Sequence, residues 1–193
     1  MVQEPLGVGG GYWLPAGRVD PGEKLTQGAI REALEEAGIH IVITRILKIN
    51  LSNALRITYL ANPVKGTDTT PKTIPDYESA GAVWVSADEV KKKITKEDCR
   101  GGKATEPLYW FPKVAAGECG IDVNTQEYFE FEAVVQDLCQ RRCTFEDIDQ
   151  KFLPTLKFVA PYCLSSQAIK SYFSTGEVSR ESLAQKVYFD LCT

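Results

Sequence analysis

The chain has 193 residues and a formal net charge of −4, with 44% hydrophobic and 25% charged residues. These values suit one domain with an extension, or two small domains. The acidic balance excludes a sequence-wide basic footprint for large nucleic acid or an anionic membrane, and no apolar run or leader reads as a span or signal peptide, so a cytoplasmic protein is expected.

Residues 1–5 read as the end of a strand, followed by a loop and then by Tyr12-Trp13-Leu14, which leads into two turns, Pro15-Ala16-Gly17 and Asp20-Pro21-Gly22. A helix should begin near Leu25 and stop at Gly38. At 100° per residue Glu32, Glu35 and Glu36 share an arc of about 100°. Ile30, Ala33, Leu34 and Ala37 lie opposite, as a core-facing side. Lys24 stands where a capping residue would help, and Gly28 costs the helix roughly 1 kcal/mol relative to alanine. Three crowded carboxylates repel one another, and a hard divalent cation that keeps its waters and bridges to phosphates removes that repulsion. By itself such a cluster is more often a solvated helix face.

The whole stretch GRVDPGEKLTQGAIREALEEAGI changes that reading, because it fits G-x5-E-x7-R-E-U-x-E-E-x-G-U at every fixed position. Seven fixed residues coincide by chance about once in 10^8 to 10^9 windows. This stretch resembles the signature of the Nudix hydrolases. The resemblance implies an α/β/α sandwich, with a mixed sheet between helices, and Mg²⁺-dependent (or Mn²⁺-dependent) hydrolysis of a nucleoside diphosphate linked to another group. It implies metal binding by Glu32, Glu35, Glu36 and the Gly17 carbonyl, and an ion pair between Glu23 and Arg31. Nudix domains carry another strand or two before the motif, so the first strand is expected to be truncated or borrowed, from the C-terminal extension or from a second chain.

Two β-rich runs follow, residues 40–47 and 55–60, with a turn at 50–53 between them. His40, at a strand start, reads as structural. Residues 62–79 form a polar loop of a length that is usually functional. It ends in Asp76-Tyr77-Glu78, six residues ahead of Trp84 in an expected strand over 82–85. That spacing is similar to the Nudix glutamate outside the motif, which joins the metal site or acts as base; Asp76 is the alternative carboxylate. Ser86 and Glu89 mark a capped helix start, with Lys91 to Lys93 on its solvated face. Residues 106–111 resemble the segment entering the last Nudix helix.

The resemblance covers residues 1–120. Residues 121–193 match no motif and read as a mostly helical extension that folds onto the core or mediates a homodimer. Residues 128–138 suit helix or strand, Thr144 and Ser179 begin helices, and 165–173 suggests another. All six cysteines lie in the second half of the chain and are expected to be reduced, small apolar residues.

Attack of water on phosphorus needs a carboxylate to orient or deprotonate it, and Glu32, Glu35 and Glu78 are candidates. The run Tyr12 to Glu23 resembles hydrolases of 8-oxo-guanine nucleoside diphosphates, which places a modified purine nucleotide first as substrate. ADP-ribose, suggested by Pro-Ala-Gly, comes second. Tyr12, Trp13 and Arg18 are the candidate substrate contacts, although an aromatic beside a tight turn is more often core. A fold kept only for binding or regulation is the non-enzyme alternative, and three intact carboxylates argue against it.

Overall fold

The computed structural model describes residues 1–5, 7, 10–51, 55–95, 97–100, 120–140, 143–159 and 167–192. The chain divides into two compact units: Met1–Val19, Thr26–Val42 and Ala61–Cys119 form one, and Asp20–Leu25, Ile43–Leu60 and Gly120–Thr193 form the other. The units interleave along the sequence, whereas the sequence reading cuts the chain once, at residue 120.

In the first unit, strands β1 (Val2–Gln3), β2 (Tyr12–Trp13) and β5 (Gly81–Ala82) make a sheet in the order β2-β1-β5. Both pairings are antiparallel, with Val2 opposite Trp13 and Ala82. The ladder ends where Met1 and Val83 exchange bonds, the N-terminal amine donating to Val83 O and Val83 N–H donating to Met1 O. The expected strand over 82–85 is therefore shorter, and Trp84 lies beyond it, 55% exposed. Val2, Trp13, Ala37 and Ile39 form a buried apolar cluster, with Ile41 and Ala82 packed against it.

Helix α1 (Leu25–Ala37) starts and stops as its sequence predicts. Its buried side is a correction: Leu25, Gly28, Glu32, Ala33, Glu36 and Ala37 are buried, while Leu34 and Glu35 are exposed. The burial follows i, i+4 pairs around the glutamates, so the helix is turned with Glu32 and Glu36 inward. Gly28 sits on that buried side, where a missing side chain allows close approach.

Strands β3 (Ile41–Leu51) and β4 (Leu55–Pro63) pass into the second unit, whose sheet has the order β4-β3-β6. The third strand, β6 (Ile121–Asp122), pairs antiparallel with β3, Arg45 opposite Asp122 and Ile46 opposite Ile121. An edge of β3 is thus filled from the C-terminal extension. The expected single mixed sheet is replaced, among the described residues, by these two three-stranded sheets.

The rest of the second unit is helical: α3 (Gln126–Gln140), α4 (Phe145–Asp147), a π-helical turn (Ile148–Phe152), α5 (Leu153–Val159), α6 (Gln167–Ser174) and α7 (Arg180–Cys192). In α3 the buried residues Tyr128, Phe131, Glu132 and Val135 fall at i, i+3, i+4 and i+7, which resolves the helix-or-strand ambiguity as helix. Thr144 caps α4 in a reciprocal box with Asp147. Ser179 accepts the Ser182 N–H at the start of α7. The core is built from Ile46, Ile49, Phe131, Ile148, Phe152, Leu156, Ile169 and Leu183, all under 2% exposed.

Helix α2 (Ala87–Lys93) in the first unit carries the expected Ser86–Glu89 capping box. The side chains of Lys91 to Lys93, and residues 106–111, lie outside the described residues. Among the described residues no helix is long and apolar enough to cross a membrane. The expectation of reduced cysteines is corrected at Cys143, which is disulfide-bonded, whereas Cys99 is a buried free thiol. A disulfide requires two Cα atoms within about 7 Å, a proximity that spacing along the chain does not reveal.

Candidate active site

The site is assembled around the C-terminal half of α1. Every terminal carbonyl of that helix has a donor, and those donors bring the flanking loops to the carboxylates. Gly38, at φ 73°, turns the chain out of the helix, and its N–H donates to Leu34 O at 2.9 Å. Lys72 Nζ donates to Glu35 O at 2.7 Å, the Ser79 hydroxyl to Glu36 O at 2.6 Å, and Lys72 N–H to Ala37 O at 2.9 Å. A lysine on the last carbonyls also complements the helix dipole. The long polar loop is thereby fastened to the helix end over residues 72–79.

Within that loop Asp76 is structural. Its carboxylate accepts the N–H groups of Glu78 and Ser79 at 2.9 and 3.1 Å and pairs with Lys72. These bonds hold the Asp76 carboxyl below its ordinary range, the Lys72 hydrogen bond most of all. Asp76 is therefore occupied in shaping the loop, and Glu78 is the carboxylate the loop turns toward the helix.

On the other side of α1, the Pro15-Ala16-Gly17 turn closes on the helix through a bond from Ala16 N–H to Glu36 Oε2 at 2.9 Å. A Cβ built on Gly17 would overlap the Glu32 carboxylate, so only glycine admits that approach. Arg31 Nη1 donates to Glu32 Oε1 at 2.8 Å and Glu35 Oε2 at 3.0 Å, and its Nη2 donates to Arg18 O at 2.7 Å. One guanidinium thus ties the turn to two motif glutamates. Glu23, the other half of the expected pair, accepts the Asp20 N–H at 3.0 Å.

The electrostatic centre is Glu36, 7% exposed. Burial, then the charges of Glu4, Glu32 and Glu78, push its carboxyl up to about 7, while the Ala16 N–H draws it down. Glu4, Glu32, Glu36 and Glu78 therefore act on one locus. The residue that sequence reasoning missed is Glu4. It is 9% exposed and accepts from Arg100 Nη1 at 3.1 Å. The signal was in the alternation at the chain's opening, since Val2 and Glu4 are buried on either side of exposed Gln3. A carboxylate buried just past the end of a strand is seldom idle. Segment 98–100 is stitched to β2 by a bond from Tyr12 N–H to Asp98 O at 2.7 Å, which carries Arg100 to Glu4.

Of the expected substrate contacts, Trp13 is packed in the apolar cluster of the first unit, 8% exposed, so it is a core residue. Tyr12 is partly buried in β2, and Arg18 is exposed. Glu35 is exposed while Glu32 and Glu36 are buried, so the arc the three glutamates share lies at the margin of the helix's buried side. His40 is exposed and accepts the Val64 N–H through its carbonyl, a structural part.

The donor set suits a hard divalent cation: carboxylate oxygens, a carboxyl raised by burial and then by its like-charged neighbours, and a glycine that alone leaves room beside Glu32. Among the described residues no three acidic, histidine or cysteine side chains already form a cage. The geometry gives the reason, because Arg31 draws Glu32 and Glu35 to itself while Ala16 holds Glu36.

The NUDIX domain model matches residues 1–105. The chain is 38% identical over 77 residues to the human protein named 8-oxo-dGDP phosphatase NUDT18, covering 39% of this chain and 24% of the relative. It is 38% identical over 87 residues to the Mus musculus protein of that name, covering 44% and 27%. To the Caenorhabditis elegans protein named putative nudix hydrolase 1 it is 32% identical over 94 residues, covering 47% and 25%. The aligned segment thus spans about a quarter of each relative's length. No solved structure matches the chain. A family match across more than half of the chain, including the turn and helix that gather these carboxylates, establishes that it belongs to the Nudix family.

Proposed function

We propose that this chain hydrolyses a phosphoanhydride bond in a small nucleoside diphosphate linked to another group, with an oxidised purine nucleotide as the favoured substrate. The observation that carries this reading is the convergence of Glu4, Glu32 and Glu78 on buried Glu36, beside a glycine that makes room for Glu32. Like charges crowded into a buried site lower stability unless a cation joins them, which argues for a working site over a surface ornament.

Glu32, Glu35, Glu36 and the Gly17 carbonyl are the groups that would hold Mg²⁺ or Mn²⁺, and the cation's part is to withdraw charge from phosphate oxygens and acidify a bound water. Arg31 orients Glu32 and Glu35, in addition to the motif's pairing with Glu23. Glu78 is the carboxylate best suited to take the proton from the attacking water. Its backbone is fixed by the Asp76 turn, and it has neither the Arg31 bond of Glu32 and Glu35 nor the Ala16 bond of Glu36. The water's oxygen then bonds to phosphorus, and the bridging oxygen leaves with the second phosphate. The name of the human relative supports an oxidised guanine substrate, and ADP-ribose is the second choice.

The test is product release with Mg²⁺ from 8-oxo-dGDP, 8-oxo-dGTP, ADP-ribose, Ap4A and NADH. Fastest turnover of 8-oxo-dGDP is expected, abolished in Glu35→Gln with the fold intact. Silence across the panel from a folded protein that binds Mg²⁺ would refute hydrolysis in favour of a binding module, and unchanged rates in Glu35→Gln would refute the site assignment.

A further inference from the structure

The loop over residues 72–79 presents two large apolar side chains to solvent, Ile74 at 77% and Tyr77 at 88% exposure. This exposure does not come from a loose chain. Lys72 bonds the carbonyls of Glu35 and Ala37, Ser79 bonds that of Glu36, and Asp76 ties the N–H groups of Glu78 and Ser79 to Lys72. None of these bonds involves the Tyr77 ring, so the loop keeps its shape whatever stands there. Tyr77 nevertheless stands next to Glu78 in this fastened loop, and the charges of Glu78, Glu35 and Asp76 act on its hydroxyl.

An aromatic face exposed on a fastened loop, beside carboxylates suited to a phosphate-bridging cation, is a platform for a flat apolar group attached to those phosphates. We propose that Tyr77 is a substrate-binding residue whose ring stacks on the aromatic base of the nucleotide, a role that rests on the hydrolase reading above. Stacking accepts any base, because every base has a π-face. Tyr77 therefore sets affinity for base-bearing substrates and does not choose between purines. Since the side chain is almost wholly exposed, its replacement leaves the fold intact.

The test compares the full chain with Tyr77→Ala and Tyr77→Phe on two probes, 8-oxo-dGDP and base-free ribose 5-diphosphate. Steady-state kinetics with Mg²⁺ are paired with equilibrium binding in Ca²⁺. Tyr77→Ala should raise KM and Kd for 8-oxo-dGDP roughly ten- to a hundredfold, with kcat within about twofold and ribose 5-diphosphate unaffected. Tyr77→Phe should stay within about threefold, since it keeps the face. Unchanged KM and Kd in Tyr77→Ala, or equal losses on both probes, would overturn the platform, and so would a Tyr77→Phe as impaired as Tyr77→Ala. If the wild type binds 8-oxo-dGDP without turning it over, the hydrolase reading fails while the Kd comparison still decides Tyr77. Absence of wild-type binding to 8-oxo-dGDP, dGDP and ADP-ribose alike would overturn both.

Discussion

Replacing Gly17 by alanine perturbs the site at its tightest point. The added Cβ overlaps the Glu32 carboxylate, so the carboxylate must swing away. It is the end of a flexible side chain, and the backbone need not follow. The loss to folding is one off-rotamer side chain, about 0.5–1.5 kcal/mol, plus the charge-assisted bond from Arg31, about 1.5–3 kcal/mol when fully buried. The second figure must be reduced, because the Arg31 side chain is 28% exposed and water replaces part of the bond. A net cost of about 1–3 kcal/mol lowers Tm by roughly 3–10 °C in a chain of this size. Catalysis should suffer far more, since moving a reacting group by about 1 Å costs roughly a hundredfold. Thermal denaturation and Mg²⁺-dependent product release at 25 °C would be measured on the same preparation. Wild-type kcat/KM in Gly17→Ala would refute the reasoning, and so would a variant already unfolded at 25 °C.

Three further perturbations probe separate parts of the structure. The Glu36 carboxyl is raised from 4.5 to about 7, so its contribution to stability is complete below about pH 4.5 and lost as pH rises through about 7. The metal-free protein should lose up to about 3 kcal/mol from this group between those limits, and Glu36→Gln should flatten that slope in denaturant titrations at pH 5 and 8. Lys72→Met removes the bonds to Glu35 O and Asp76 and should cost about 1–2 kcal/mol, with faster amide exchange over residues 72–79 and a higher KM. Tyr128→Phe deletes a buried hydroxyl that donates to Glu132 at 3.1 Å and meets the Tyr59 hydroxyl at 3.2 Å. It should cost about 1–3 kcal/mol while kcat/KM stays within about twofold, and a large loss of activity would show that this buried trio serves the reaction.

The sequence by itself determined the turn-plus-helix motif, the limits of α1, the capping box at Ser86, the helix start at Thr144, and the family to which the chain belongs. These are local matters: glycine at a positive φ, a hydroxyl three residues ahead of a carboxylate, and residue types at fixed spacing carry their meaning over a few bonds. The sequence also pointed to Glu78 as the carboxylate outside the motif. Tertiary structure decided the rest, because it depends on which surfaces meet. The rotation of α1 buried Glu32 and Glu36 and exposed Leu34 and Glu35, a choice that helical periodicity left open once glutamates and small residues shared the inner side. Pairing over long separations brought Ile121–Asp122 to β3 and Arg100 to Glu4. Glu4 lies just past the paired strand β1, and Lys72 and Ser79 became the clasp on the helix end only when a loop more than thirty residues downstream folded back onto its carbonyls. A carboxylate's neighbours set its chemistry, and those neighbours are brought together by packing and not by sequence spacing.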